Sequence, residues 1–215
     1  VASIMWALAV LDSPEFGLCH PELCQHLAAR CHQLRSEFQV KELCQLHQVF
    51  LSLQLDPSPP ESMVDLEALL GQQCRDAFTA GAVSPSRLQH DVANALRRAF
   101  PGTVVEEETR EPTSGYSLDI LLARQRRLSW QTTGQGVAPG SAGRLALGWA
   151  VEVDGPQHFF KSGRKVPTPT GATLLKRRHL QLLGYRLVSV PHWEWEGLHG
   201  PDAERRYLEM KLRAA

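Results

Sequence analysis

Three carboxylates raise the question of what chemistry this 215-residue chain can do. Glu152 and Asp154 stand two apart in V-E-V-D-G-P-Q-H-F (Val151 to Phe159), between valines that a buried strand favours. Asp119 sits inside the apolar run S-L-D-I-L-L. Strand side chains alternate in direction, so Glu152 and Asp154 share one face of their strand. If the Asp119 strand pairs with it, three acids converge at one end of a sheet. Hard divalent cations such as Mg²⁺ or Mn²⁺ take oxygen ligands in that arrangement, and a bound cation activates water and neutralises a phosphate. Three buried carboxylates would otherwise be costly. The alternative is that Asp119 and Glu152 pair with Arg or Lys at a solvated strand end, and pattern alone leaves both readings open.

Around the acids lie groups suited to a polyanion. Arg124, Arg126 and Arg127 begin a long Gly-, Gln-, Thr- and Ser-rich segment; Lys161, Arg164 and Lys165 follow the acid strand; Lys176, Arg177 and Arg178 head a helix. Dispersed basic residues of this kind contact a phosphate backbone without reading sequence. His158, Phe159, Phe160, Trp193 and Trp195 are able to stack unpaired bases. Phe159 and Trp193 equally suit a core, whereas Phe160 and Trp195, each beside a polar or charged neighbour, are the better stacking candidates.

The elements that must position these groups are legible from periodicity. H-P-E-L-C-Q-H-L-A-A-R-C-H-Q-L-R carries Pro21 in a first helical turn and apolar residues at Leu23, Leu27, Cys31 and Leu34. The next helix repeats the pattern with Leu43, Leu46, Val49, Phe50 and Leu53. The spacing predicts an antiparallel pair, one unit of an α-helical repeat, with Ile4 to Leu11 as the end of a preceding unit. D-P-S-P-P-E-S interrupts any regular element. Two more helices follow, one stopped by Gly81 and one with Ser84 as its N-cap and a Leu88, Val92, Leu96, Phe100 stripe. Beyond Pro101 the period becomes that of strands. T-V-V-E-E-E-T-R pairs with S-G-Y-S-L-D-I-L-L-A-R, whose Tyr116, Leu118, Ile120 and Leu122 share a face. The acid strand, a helix stopped by Gly184, the strand Y-R-L-V-S-V-P and a closing amphipathic helix complete the order. A strand, helix, strand succession implies a parallel pair, hence an α/β layer.

Size and composition fit a globular protein: 43% hydrophobic and 21% charged residues, and apolar runs too short to span a bilayer. The chain opens V-A-S-I-M-W-A-L-A-V without an initiator Met or basic leader, so it reads as an excised piece with any targeting signal missing. Zero net charge conceals an asymmetry. Residues up to Pro112 hold 8 Lys and Arg against 15 Asp and Glu, and the remainder 15 against 8. The basic C-terminal half is the electrostatic signature of a polyanion partner, or simply of two faces that differ in sign. Cys19, Cys24, Cys31, Cys44 and Cys74 form no C-x-x-C pair or zinc spacing, and their odd number argues for a reducing compartment.

S-L-D-I-L-L, A-V-E-V-D-G-P-Q-H-F-F, L-L-K-R-R-H-L-Q-L-L-G-Y-R-L-V-S-V-P-H-W-E-W and Y-L-E-M-K-L together resemble the RAP domain. The helical sequence before them is similar to the FAST segments of the Fas-activated serine/threonine kinase family. The resemblance covers essentially the whole chain. It implies an α/β organisation: an α-helical repeat segment over 1–57, a FAST-type helical segment over 61–112, and a PD-(D/E)XK, restriction-endonuclease-like core over 113–215 that holds the RAP domain at about 149–208. Members of the family are mostly mitochondrial RNA-processing and stability factors. The resemblance therefore implies single-stranded RNA, in the form of mitochondrial transcripts, as partner, protein partners for the helical segment, and a place in the matrix or RNA granules. Carried over, Asp119 matches the nuclease motif's first acid and Glu152 its second, and Asp154 stands where that motif has lysine. Lys176 or Lys161 could substitute for it, and His90 or Asp91 could add a ligand. The implied metal set is Asp119, Glu152 and Asp154 around Mg²⁺ or Mn²⁺, with Lys176 completing the candidate catalytic group. The expected function is an RNA-binding factor on a nuclease-like scaffold; an active metal-dependent endoribonuclease and a protein-interaction scaffold are the alternatives. No glycine-rich loop after a strand, V-A-I-K, H-R-D or D-F-G occurs, so the sequence gives kinase activity no support.

Overall fold

The computed structural model describes residues 1–11, 20–55, 60–82, 84–124, 148–160 and 167–215. In chain order the elements are α1 (Ala2–Leu11), α2 (Pro21–Gln33), α3 (Val40–Gln54), α4 (Glu61–Thr79), α5 (Arg87–Ala99), β1 (Thr103–Arg110), β2 (Ser117–Arg124), β3 (Trp149–Asp154), a 3-10 turn (Pro156–His158), α6 (Gly171–Leu182), β4 (Arg186–Pro191), α7 (His192–Glu196) and α8 (Pro201–Ala214). Among the described residues, no helix is long and apolar enough to cross a membrane. The chain divides into two compact units.

The first unit comprises Val1–Ala82, Pro112–Tyr116 and Phe160–His179. Its helix α3 starts in a capping box, the Gln39 amide donating to the Glu42 carboxylate over 2.7 Å. Leu43, Leu46, Val49, Phe50, Leu51 and Leu53 are buried along α3. Those positions wrap round more than one face, so α3 requires two apolar neighbours. It packs against α1 and α4, and α2 packs against α4. The expected α2–α3 pair is thus replaced by a bundle in which α4 is the shared partner. Cys24, Cys31, Cys44 and Cys74 are free thiols. Burial pushes Cys31 up to about 11 and Cys74 up to about 12, which leaves these thiols unreactive.

A polar network runs through this unit. Trp6 Nε1 donates to Gln48 Oε1 (2.6 Å), and Gln48 Nε2 to the Tyr116 hydroxyl (3.1 Å). That hydroxyl lies 3.1 Å from His179 Nδ1, and His179 Nε2 lies 2.8 Å from Ser52 Oγ. Ser52 gives its one hydrogen to the Gln48 carbonyl (3.0 Å), so it must accept from His179 Nε2–H. His179 is therefore the neutral Nε2–H tautomer, and its Nδ1 accepts from Tyr116. Phe78 packs edge-on against the Tyr116 ring at 5.2 Å. Tyr116, expected to share a strand face with Leu118, precedes β2 and belongs to this network instead.

The second unit comprises Val83–Glu111, Ser117–Phe159 and Leu180–Ala215. Its helix α5 is capped by Ser86, whose Oγ accepts from the Gln89 amide over 3.1 Å; Ser84, the expected cap, lies outside the helix. The sheet order is β1-β2-β3-β4. β1–β2 and β2–β3 are antiparallel and β3–β4 is parallel, as the crossover predicts. Before β4 the chain turns at Gly184 (φ +100°), a left-handed position where a side chain would strain the backbone. Ile120, Leu122, Val151, Val153, Val188 and Val190 form the core with Val92 and Leu96 of α5 and Leu208 of α8. Each such side chain contributes about 1.5–3 kcal/mol when fully buried.

Candidate nucleic-acid interface and the carboxylate face

The β2–β3 register sets Ile120 against Val151, Leu121 against Ala150 and Leu122 against Trp149. One further step brings Asp119 level with Glu152, and across the parallel pair Glu152 meets Ser189. Because Ile120 and Val151 point into the core, Asp119, Glu152, Asp154 and Ser189 all lie on the opposite face. The common face expected of the three acids is present.

What the acids do on that face is specific. Asp119 Oδ2 accepts from the Val153 amide (2.7 Å), while its backbone carbonyl accepts from the Gln89 side chain (2.6 Å). Asp154, 1% exposed, accepts from Ser189 Oγ over 2.5 Å, and its Oδ1 lies 3.7 Å from His158 Nδ1. Glu152 is buried, and none of the three acids is free. Opposite Asp119 on β1, Glu108 takes φ +51°, and the β1–β2 ladder skips it between the Glu107–Ile120 and Thr109–Leu118 pairs. Its carboxylate accepts from Ser117 Oγ over 2.5 Å.

Among the described residues, no group of three or more His, Cys, Asp and Glu side chains is arranged to hold a metal ion. Asp119 accepts from a β3 amide and Asp154 from a β4 hydroxyl. Asp119, Glu152 and Asp154, the set expected to hold Mg²⁺ or Mn²⁺, thus share a sheet face without forming such a group. His90 and Asp91 are exposed on α5, with His90 Nδ1 3.3 Å from Glu107 on β1. Lys176 is half-buried on α6, in the part of that helix that belongs to the first unit.

Of the expected RNA contacts, Arg126, Arg127, Lys161, Arg164 and Lys165 lie outside the described residues. Arg177 and Arg178 are half-buried rather than freely solvated, and the Arg178 guanidinium donates to the Ala9 carbonyl. Phe160 is 56% exposed, as a stacking group requires. Trp195 is not: at 8% exposure it packs against Tyr207, ring centres 6.1 Å apart. The strand ends at Pro191 and α7 follows, and in a helix residues two apart point to opposite sides. Trp193 therefore takes the outward position that strand alternation had suggested for Trp195. It is half-buried, with Phe159 4.5 Å and His192 5.0 Å away by ring centre. Sequence reasoning missed His192 and Ser189. Their signal was the parallel pairing itself, which puts the end of β4 beside Asp154.

The chain order of acid strand, crossover helix, parallel partner strand and closing helix defines the class: residues 151–211 match the family model of the RAP domain, and the chain carries that domain. The particular likenesses follow from it. The chain is 46% identical over 63 residues to the RAP domain-containing protein, chloroplastic, of Oryza sativa subsp. japonica, which covers 29% of this chain and 9% of that protein. It is 29% identical over 111 residues to the FAST kinase domain-containing protein 1, mitochondrial, of Homo sapiens, covering 47% of this chain and 12% of that protein. With the Fas-activated serine/threonine kinase of Mus musculus the identity is 39% over 57 residues, 26% of this chain and 11% of the relative. The aligned parts are thus a small share of these curated relatives.

Proposed function

We propose that this chain is a single-stranded RNA-binding factor of organellar, foremost mitochondrial, RNA processing or stability, on a PD-(D/E)XK nuclease-like scaffold whose acid face serves the fold. The observation that carries the reading is the RAP domain at 151–211, which falls in the half of the chain holding 15 Lys and Arg against 8 Asp and Glu. A polyanion is the partner that such a surface attracts. Supporting the scaffold are the mixed sheet and the single face shared by Asp119, Glu152 and Asp154. The organelle rests on the relatives, which are named mitochondrial and chloroplastic. The hydrogen bonds that Asp119 and Asp154 accept within the sheet favour binding over cleavage.

The test is fluorescence anisotropy of the chain with short labelled RNAs, single-stranded and duplex, over a range of salt. Single-stranded RNA should bind more tightly, with log K falling with log salt at a slope of about −0.7 per phosphate neutralised. Failure of the chain to bind any RNA at low salt would refute the reading.

A further inference from the structure

The loops at the carboxyl ends of β3 and β4 bring together three aromatic side chains. β3 ends at Asp154 and runs through the 3-10 turn to His158 and Phe159; β4 ends at Pro191 and runs into His192 and Trp193. Because the two strands are parallel and paired, with Asp154 against Pro191, both loops emerge at one end of the sheet. Loops at the carboxyl ends of parallel strands commonly carry ligand-binding groups.

The rings there form a step. Phe159 and Trp193 meet at 4.5 Å and 66°, His192 and Trp193 at 5.0 Å and 81°, while Phe159 and His192 stand 6.5 Å apart. All three are half-buried, unlike the neighbouring core pair Trp195 and Tyr207. Edge-on packing holds each ring rigid without covering its faces with a parallel partner. His192 is oriented as well. Its Nδ1 lies 3.3 Å from the Asp154 carbonyl, an atom that can only accept, so Nδ1 carries the hydrogen. In the neutral ring Nε2 is then an acceptor, and no described residue engages it. The buried Asp154 anchors this corner by its bond from Ser189 and its approach to His158.

We propose that this step, Phe159 and Trp193 with His192 beside them, holds one unpaired nucleobase of single-stranded RNA. The base stacks on an aromatic face, and His192 Nε2 accepts a hydrogen from the base edge or a ribose hydroxyl. Planar faces with an acceptor at the rim match a base better than an aliphatic or anionic ligand, and the basic character of this half of the chain favours the strand that carries it. The assignment rests on the RNA-binding reading above and adds the place of contact.

Two measurements on the whole chain test it. Thiouridine-substituted single-stranded RNA is photo-crosslinked to the wild-type protein and the adducts are mapped by mass spectrometry; the expected adducts lie within 156–160 and 192–196. In parallel, anisotropy titrations compare wild type with Phe159→Leu and Trp193→Leu, with circular dichroism confirming folding. Loss of one stacked base should weaken binding by about 5- to 150-fold. Adducts confined to other segments, or affinities within about twofold of wild type in both folded variants, would overturn the site while leaving RNA binding intact. If the wild type binds no RNA, the broader reading fails and takes this one with it. The crosslink map needs no variant, so it decides even if a leucine variant does not fold.

Discussion

Acid should destabilise the helical unit through one side chain. His179 is wholly buried in the first unit, and burial pushes its pKa from 6.5 down to about 3, with the Arg178 and His47 charges acting in the same direction. The hydrogen-bond network explains why the site resists a proton. Tyr116 already points its hydrogen at Nδ1, and its oxygen is occupied by the Gln48 amide. Gln48 cannot turn over without aiming its own N–H groups at the Trp6 indole donor. A proton on Nδ1 would thus face the hydrogen of the Tyr116 hydroxyl.

The sign follows from linkage. Below about pH 6.5 the unfolded chain binds a proton at this residue and the folded chain does not, so stability falls as pH falls from about 6.5 toward the folded pKa of about 3. At about pH 4 the gap is about 2.5 pH units, or about 3 kcal/mol at 1.36 kcal/mol per unit. That is a large share of the 5–15 kcal/mol typical of a whole domain. His47, also lowered by burial, adds loss in the same direction. Urea unfolding followed by circular dichroism at several pH values, for wild type and His179→Gln, isolates the residue. The wild-type slope should exceed the variant's by about 1.4 kcal/mol per pH unit between about pH 6 and pH 4. Equal slopes, or a wild type that gains stability on acidification, would refute the argument.

Two further outcomes are expected. Trp195→Ala should cost about 3–5 kcal/mol by opening the core against Tyr207, and single-stranded RNA affinity of the folded fraction should not change; thermal melts and anisotropy check the two halves. Asp119→Ala should cost about 1–3 kcal/mol by orphaning the Val153 amide, Asp119→Asn should recover part of it, and EDTA should leave the wild-type melt where it was, since a metal-dependent fold would shift downward.

Much of this fold was readable because its helices and strands carry strong periods. The stripes on α3 and α5 and the common face of Glu152 and Asp154 follow from spacing, and the parallel β3–β4 pair from the strand, helix, strand order. Where reading failed, a local rule was carried one element too far. Strand alternation ran past Pro191 and exchanged the roles of Trp193 and Trp195; the same habit kept Tyr116 on β2 when its hydroxyl was needed by Gln48 and His179. The basic triplet at Lys176 to Arg178 suits phosphate contact by charge, yet the Arg178 guanidinium donates to the Ala9 carbonyl.

The carboxylates show the deeper limit. Residue type says that three acids on one face can hold a cation, but whether they do depends on who else reaches them. A strand neighbour's amide and a hydroxyl on β4 reached Asp119 and Asp154, and neither contact leaves a trace in spacing. The same parallel pairing that delivers Ser189 to Asp154 also delivers His192 and Trp193 to the loop after β3. One register therefore occupies the acids with structural bonds and creates an aromatic, hydrogen-bonding edge beside them.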